Sequence, residues 1–245
     1  MPSHFSTIGL PVDSQESFQA LMNKIGALAQ PITAVAGTYY HWRDESGAEL
    51  WLQVSSDNEF IGVNPSFAGS NQMSIGCLRQ VEREDASPLD GAIYGWANAP
   101  LEDPEMGEHP LVFDLPNFRV RSDFSFPQTT QVQLSGFAHD LALWPTLAAY
   151  KDQPEEQLKM ADISCLPLGT FNPDGGELQS IAYYTGHILD FAVRTNQLTD
   201  EAFYWFSLKT LGGNIDVVAD RTLVEQEPKI GGILQATCWL TGTLE

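Results

Sequence analysis

LQSIAYYTGHILDFAVRT, residues 178–195, alternates along its length, so that Ile181, Tyr183, Thr185, His187, Leu189, Phe191 and Val193 fall on one face of an extended strand. Gly186 interrupts the pattern. A glycine inside a long strand marks a bulge or coil that lets the strand bend and serve two sheets, as small closed barrels require. After a polar loop at 196–200, AFYWFSLKTL (202–211) places Tyr204, Phe206 and Leu208 on one side and Phe203, Trp205, Ser207 and Lys209 on the other. Even its second face is partly aromatic, so one face reads as core and the other as half covered. Leu211, Gly212, Gly213 and Asn214 turn the chain tightly, since both glycines accept positive φ, and residues 215–218 return as the second strand of a hairpin. An acidic connector containing Pro228 leads to GGILQATCWLTGTL (231–244), with Leu234, Ala236, Cys238 and Leu240 opposite Ile233, Gln235, Thr237 and Trp239.

Four such strands, the first long and bent at a glycine, resemble an OB-like barrel in pattern. An OB-fold has five strands and a helix before the fourth, whereas here the connector DRTLVEQEPK (220–229) is short. Either an earlier segment completes the sheet or this is a different antiparallel barrel.

Composition bounds the rest. A 245-residue chain of 27.0 kDa buries a substantial core, and its 43% hydrophobic and 18% charged residues describe an ordinary globular protein of one or two domains. No stretch approaches the roughly 18 consecutive apolar residues of a membrane span, and the first residues lack a basic region followed by an apolar one. The expectation is a cytoplasmic protein with no membrane contact. The three cysteines, Cys77, Cys165 and Cys238, are far apart with no C-x-x-C pairing, and Cys77 and Cys238 sit in apolar strand-like runs as small core residues.

Charge is the most unusual global property: 32 acidic against 12 basic residues give −20 at pH 7. Such a surface repels phosphate backbones, and Lys209, Lys229, Arg194 and Arg221 are too few to line a nucleic-acid track beside the aromatic strands. The charge suits solubility or a saline environment, or an acidic inhibitor of a basic protein partner.

The N-terminal part carries the clearest supersecondary pattern. FSTIGLPVD (5–13) alternates Ile8, Leu10 and Val12 as a strand, Asp13 and Glu16 open a helix, and Phe18, Leu21, Met22, Ile25 and Leu28 form its apolar stripe. ITAVAGTYYHWR (32–43) and AELWLQV (48–54) are strands joined by a loop at 44–47, and EFIGVNPSF (59–67) is a further strand. The order is β-α-β-β-β. That order, with the phrases IGLPVD and SGAELWLQV, resembles a half-module of the vicinal-oxygen-chelate (glyoxalase and dioxygenase) family over about residues 4–68. The resemblance implies a divalent metal held by a histidine on the first strand and a carboxylate near the end of the fourth. Thr7 occupies the histidine position and Asn64, Pro65 and Ser66 stand where the carboxylate is wanted, so the metal chemistry is not carried over. No second copy of the module follows.

Residues 71–140 are again β-rich, in NQMSIGCLRQVE, GAIYGWANAP, HPLVFDLPNF and TTQVQLSGFAHDLALW, separated by acidic and proline-rich loops. Helical turns are expected at Pro145 and Pro154, and the FNPDGG turn (171–176) marks a boundary. The expected organisation is 1–70 as the β-α-β-β-β module, 71–170 as a β-rich middle region and 171–245 as the OB-like barrel. The fold class is α+β, predominantly antiparallel.

Catalytic patterns are missing: no G-x-S-x-G elbow, phosphate-cradling glycine loop, H-E-x-x-H or EF-hand occurs. His4, His41, His109, His139 and His187 are scattered. His187, on the apolar face of a strand, reads as a hydrogen-bonded core residue more readily than a base. Cys165 has no histidine near it in sequence. No catalytic residue, metal or cofactor is therefore assigned. The surface that remains is the hairpin: with a loop at 44–47 pairing Arg43 with Ala48, Tyr40 and Trp42 share a face with Glu49, Trp51 and Gln53. These five residues are the candidate ligand-binding set, lining a pocket between modules for a small organic ligand or else packing on the C-terminal strands. The leading expectation is a non-catalytic binding or interaction protein, and the alternatives are a glyoxalase-like enzyme with an altered or lost metal site and an acidic inhibitor.

Overall fold

The computed structural model describes residues 3–120, 124–153, 160–171 and 176–244. Helix α1 (Gln15–Gly26) precedes an antiparallel meander of β1 (Gln30–Ala34), β2 (Gly37–Arg43), β3 (Ala48–Ser55) and β4 (Phe60–Phe67). The larger sheet holds β5 (Met73–Val81), β6 (Ala92–Ala97), β7 (His109–Asp114), β8 (Gln128–Trp144), β9 (Ser164–Leu166), β10 (Ile181–Thr195), β11 (Ala202–Thr210), β12 (Gly213–Asp220) and β13 (Ile233–Leu244). Between β8 and β9 lies the short helix α2 (Leu147–Lys151), capped by the Thr146 hydroxyl, so the turn expected at Pro145 starts slightly later. The turn expected at Pro154 and the centre of FNPDGG lie outside the described residues. The chain is mostly β with few helices, an α+β composition.

Two closed circuits of strands share one ribbon. β8 and β13 pair antiparallel over 132–144 and 233–244. On the other edge of β8, β5 pairs along 128–132 and β12 along 135–137, the latter parallel. On the other edge of β13, β10 pairs along 233–239 and β7 touches, parallel, at Thr241. One circuit therefore runs β8-β5-β6-β7-β13 and the other β8-β12-β11-β10-β13. The earlier segment needed to complete the C-terminal strands is β8. One apolar core, from Ile75 and Phe113 through Leu134 and Leu240 to Phe206 and Val217, crosses from 71–170 into 171–245.

Gly186 acts as the sequence suggests. β10 pairs with β13 up to His187 and with β11 from His187 onward. A Cβ on Gly186 would lie 2.3 Å from the Lys209 carbonyl oxygen and 2.8 Å from the Leu208 side chain, so the bend needs the missing atom. The face assignment is corrected. Ala182, Tyr184 and Ile188 enter the core, and a bulge at Leu189 then turns Phe191 inward. Leu189 and Val193 are exposed. Both faces of this strand are apolar, so the alternation alone could not choose between them.

At the N-terminus, residues 6–8 form a 3-10 turn, not the expected strand. Among the described residues no strand pairs with it, although β11 and β12 lie beside it. Its carbonyls are met by the loop before β11, where the Asn196 amide donates to Ile8 and the Thr199 hydroxyl to Gly9. Gly9, at φ 72°, ends the turn against Glu201. The α1 cap is Ser14, whose hydroxyl accepts from the Ser17 N–H, rather than the Asp13 and Glu16 pair. The segment expected as one strand at 32–43 is β1 and β2, folded at Val35 and Ala36 with Ala34 opposite Gly37. The module is thus α-β-β-β-β.

This module docks on the outer face of the second circuit. Leu21, Met22, Ile25, Trp42, Leu50 and Phe67 join Phe137, Phe203, Trp205 and Val218 in one buried cluster, which covers the aromatic outer face of β11. Beside it, the fully buried Asp216 carboxylate accepts from the Trp205 indole at 2.7 Å, the Asn71 backbone and side chain at 3.0 Å each and Gln133 at 3.0 Å. A buried charge needs such donors, and these come from β11, β8 and the β4–β5 link.

Two glycine substitutions test the bend. Gly186→Ala is expected to cost about 1–3 kcal/mol, because its methyl must displace backbone. Gly26→Ala, which meets nothing within 4 Å at the end of α1, is expected to be neutral or to stabilise by up to about 1 kcal/mol. Urea unfolding of both variants checks the contrast.

Candidate functional site

The hairpin that carries the five candidate residues closes one residue away from the expected register. The Asp44 N–H donates to the Ala48 carbonyl, Gly47 takes φ 94°, and Arg43 pairs with Glu49 instead of Ala48. A glycine in the left-handed region after a tight turn adds one bulged residue, and a one-residue shift moves side chains to opposite faces. Tyr40 and Trp42 therefore lie with Leu50 and Leu52, against α1. Glu49, Trp51 and Gln53 share the other face with Tyr39 and His41. The structure brings three of the five together and sends two to the opposite side.

The face with Trp51 is closely packed. Trp51 stacks on His41 at 3.9 Å between ring centres and meets Tyr39 edge-on at 5.9 Å. Glu49 accepts from the Ser66 hydroxyl at 2.7 Å and lies 3.3 Å from His41 and 3.7 Å from Arg43. The Gln53 amide donates to Asp90 at 2.7 Å and accepts from Ser87. The Tyr39 hydroxyl donates to the Leu89 carbonyl. Polar groups on this face are thus matched by the loop between β5 and β6.

A cleft of about 230 Å³ beside that loop holds Asn64, Arg83, Asp90 and Asp114. Its charges are also committed. The Arg83 guanidinium donates to Asp114 at 2.7 Å and Ser180 at 2.8 Å, Asp114 accepts from the Trp239 indole at 2.6 Å, and Asn64 donates to Asp90 at 2.8 Å. Thr7 is fully buried, its hydroxyl donating to the His4 carbonyl. Among the described residues no three His, Cys, Asp or Glu side chains are grouped to hold a metal.

A different site has uncommitted chemistry. A groove of about 370 Å³ opens where β10 changes partner, lined by Ile163, His187, Ile188, Leu189, Lys209 and Ile230. Leu189 and Ile230 are 40% and 67% exposed, so apolar side chains face water there. His187 and Lys209 are directly paired across β10 and β11. His187 Nε2 lies 2.8 Å from Asp162 Oδ2, and that hydrogen bond holds the Asp162 carboxyl below the usual carboxylate range. An ionised carboxylate only accepts, so Nε2 carries the proton and Nδ1 is left as the second polar atom of the ring. Lys209 is exposed and has no ion pair among the described residues. Few polar groups converging on an apolar recess is the usual make-up of a small-molecule site.

Two groups on the neighbouring strand β9 are not poised as nucleophiles. The Ser164 hydroxyl donates to the Ala161 carbonyl at 2.9 Å, and burial pushes the Cys165 thiol up to about 12, leaving it protonated and unreactive. Sequence reading singled out His187 and Lys209 separately. It could not join them to Ile163 and Ile230, which come from distant loops brought together only by closure of the circuit.

Replacing Trp51 separates packing from a ligand role on the hairpin face. With only 7% of its surface exposed, Trp51→Ala is expected to cost about 3–5 kcal/mol in urea unfolding. A loss below about 1 kcal/mol would show that the ring faces water.

No family model matches this chain, and comparison with curated proteins and with solved structures gives no match.

Proposed function

We propose that this is a non-catalytic binding protein whose ligand is a small, largely apolar organic molecule with an acidic end, held in the groove at the β10 bend. One observation carries the reading: Lys209, an ammonium with no ion pair among the described residues, stands beside a carboxylate-oriented imidazole at the edge of an exposed apolar recess. In a chain of net charge −20, a cation without a partner at such a recess favours an anionic group there. Ile163, Leu189 and Ile230 would cover the apolar body, and Lys209 would supply most of the selectivity for charge. The barrel that frames the groove is read as OB-like. Support comes from the succession β10-β11-β12-β8-β13, in which β8 runs parallel to β12.

Titration of decanoate, with decanol and decylamine as controls, tests the assignment by methyl NMR. Decanoate is expected to shift the methyl signals of Ile163, Ile188 and Ile230. Lys209→Gln should weaken it about five- to ten-fold, the effect of removing one charge-assisted contact, while leaving decanol unchanged. Equal binding of decanol and decanoate, or shifts located elsewhere, would refute it.

A further inference from the structure

A second groove, of about 430 Å³, lies against the start of the 221–232 connector and has residues 141–144 of β8 as one wall. Beyond its contact with β12 at Ser135, Gly136 and Phe137, β8 continues for seven residues to Trp144 with β13 on one edge only. A bulge falls between the pairs of Thr237 and Cys238, leaving His139 out of the ladder. Residues 140–144 are therefore a regular stretch whose second edge meets no strand among the described residues. Leu223, Glu225 and Gln226 form the facing wall.

Backbone N–H and C=O groups need partners, and free edges are normally blunted by lysine, proline or cover. Here the edge reads Asp-Leu-Ala-Leu-Trp, with neither lysine nor proline before Pro145. It opens into a recess, and among the described residues no backbone hydrogen bond joins it to the facing wall. Five residues span about 17 Å at 3.4 Å each, enough for a short added strand. Glu225 is the charged side chain in the recess, Asp140 being engaged by the Thr237 N–H of β13, and the chain carries −20 overall. That charge selects a basic segment.

We propose that the edge of β8 at residues 140–144 is a docking site for an extended, basic peptide segment of a partner protein, which adds to the sheet as a further strand. Main-chain hydrogen bonds supply the attachment, and a lysine or arginine side chain of the segment reaches Glu225. This site is separate from the small-molecule groove: the first uses the connector's Leu223 and Glu225, the second its Ile230 and Gly231.

The probe is a short synthetic peptide alternating lysine and valine, tested on the full chain by fluorescence anisotropy and by amide hydrogen exchange. Binding is expected, with exchange slowed at 140–144. The same peptide N-methylated at alternate residues should bind at least about ten-fold more weakly, because it cannot pair along the edge. Glu225→Gln should weaken the unmodified peptide several-fold, and Lys209→Gln should not. Undiminished binding of the N-methylated peptide, protection mapping away from 140–144, or no binding would each overturn the proposal. So would concentration-dependent dimers that protect 140–144 without peptide, which would assign the edge to a second copy of this chain.

Discussion

The pairing of β8 with β13 is the constraint on which the remaining structure depends. Each strand spends one edge on the other and divides its remaining edge between two partners, β5 and β12 on one side, β7 and β10 on the other. Closing a sheet removes exposed edges, and sharing the ribbon lets one long antiparallel pair close two circuits. The consequence is a core that does not divide. Leu134, Ala138, Ala236, Cys238 and Leu240 on the ribbon belong to one buried cluster with apolar side chains of both circuits. The bend at Gly186 follows from the same geometry, because β10 hands over from β13 to β11 at His187, the residue that pairs with both. The groove at His187 opens at that departure.

Much of the strand content was legible because two-residue alternation is a local property. The strands at 73–81, 92–97, 109–114, 128–144, 202–210, 213–220 and 233–244 correspond to the alternating segments of the sequence. The paired faces of β13 fell as read, with Leu234, Ala236, Cys238 and Leu240 all inward. What failed was set by contacts the local pattern does not contain. Ile8 and Leu10 alternate like a strand, yet their neighbour is the 196–201 loop, so the segment coils against side chains instead of pairing. The β2–β3 register turned on a single backbone angle, the positive φ of Gly47, and that angle separated Tyr40 and Trp42 from Glu49, Trp51 and Gln53.

Electrostatics divide the molecule into committed and uncommitted charge. Asp216, Arg83, Asp114, Glu49 and Asp90 each meet donors or acceptors that join separate segments, and they fix how the N-terminal meander sits on the circuits. Satisfied networks of this kind specify geometry and leave little free energy for a ligand. Lys209 and the edge at 140–144 are different, since among the described residues the first has no ion pair and the second meets a strand on one side only. Both lie beside the 221–232 connector between β12 and β13. The functional readings rest on that contrast, not on any motif, which explains why a search for motifs found nothing.

The central claim, that one shared ribbon makes both circuits a single folding unit, is tested most directly by hydrogen exchange followed by mass spectrometry across a urea series. Fragments from β5–β7, β10–β12, β8 and β13 are expected to lose their slowest-exchanging protection together, with one common dependence on urea. Retention of protection in residues 181–244 after 73–114 has become fully exchangeable would contradict the account, since the C-terminal circuit would then stand without its neighbour.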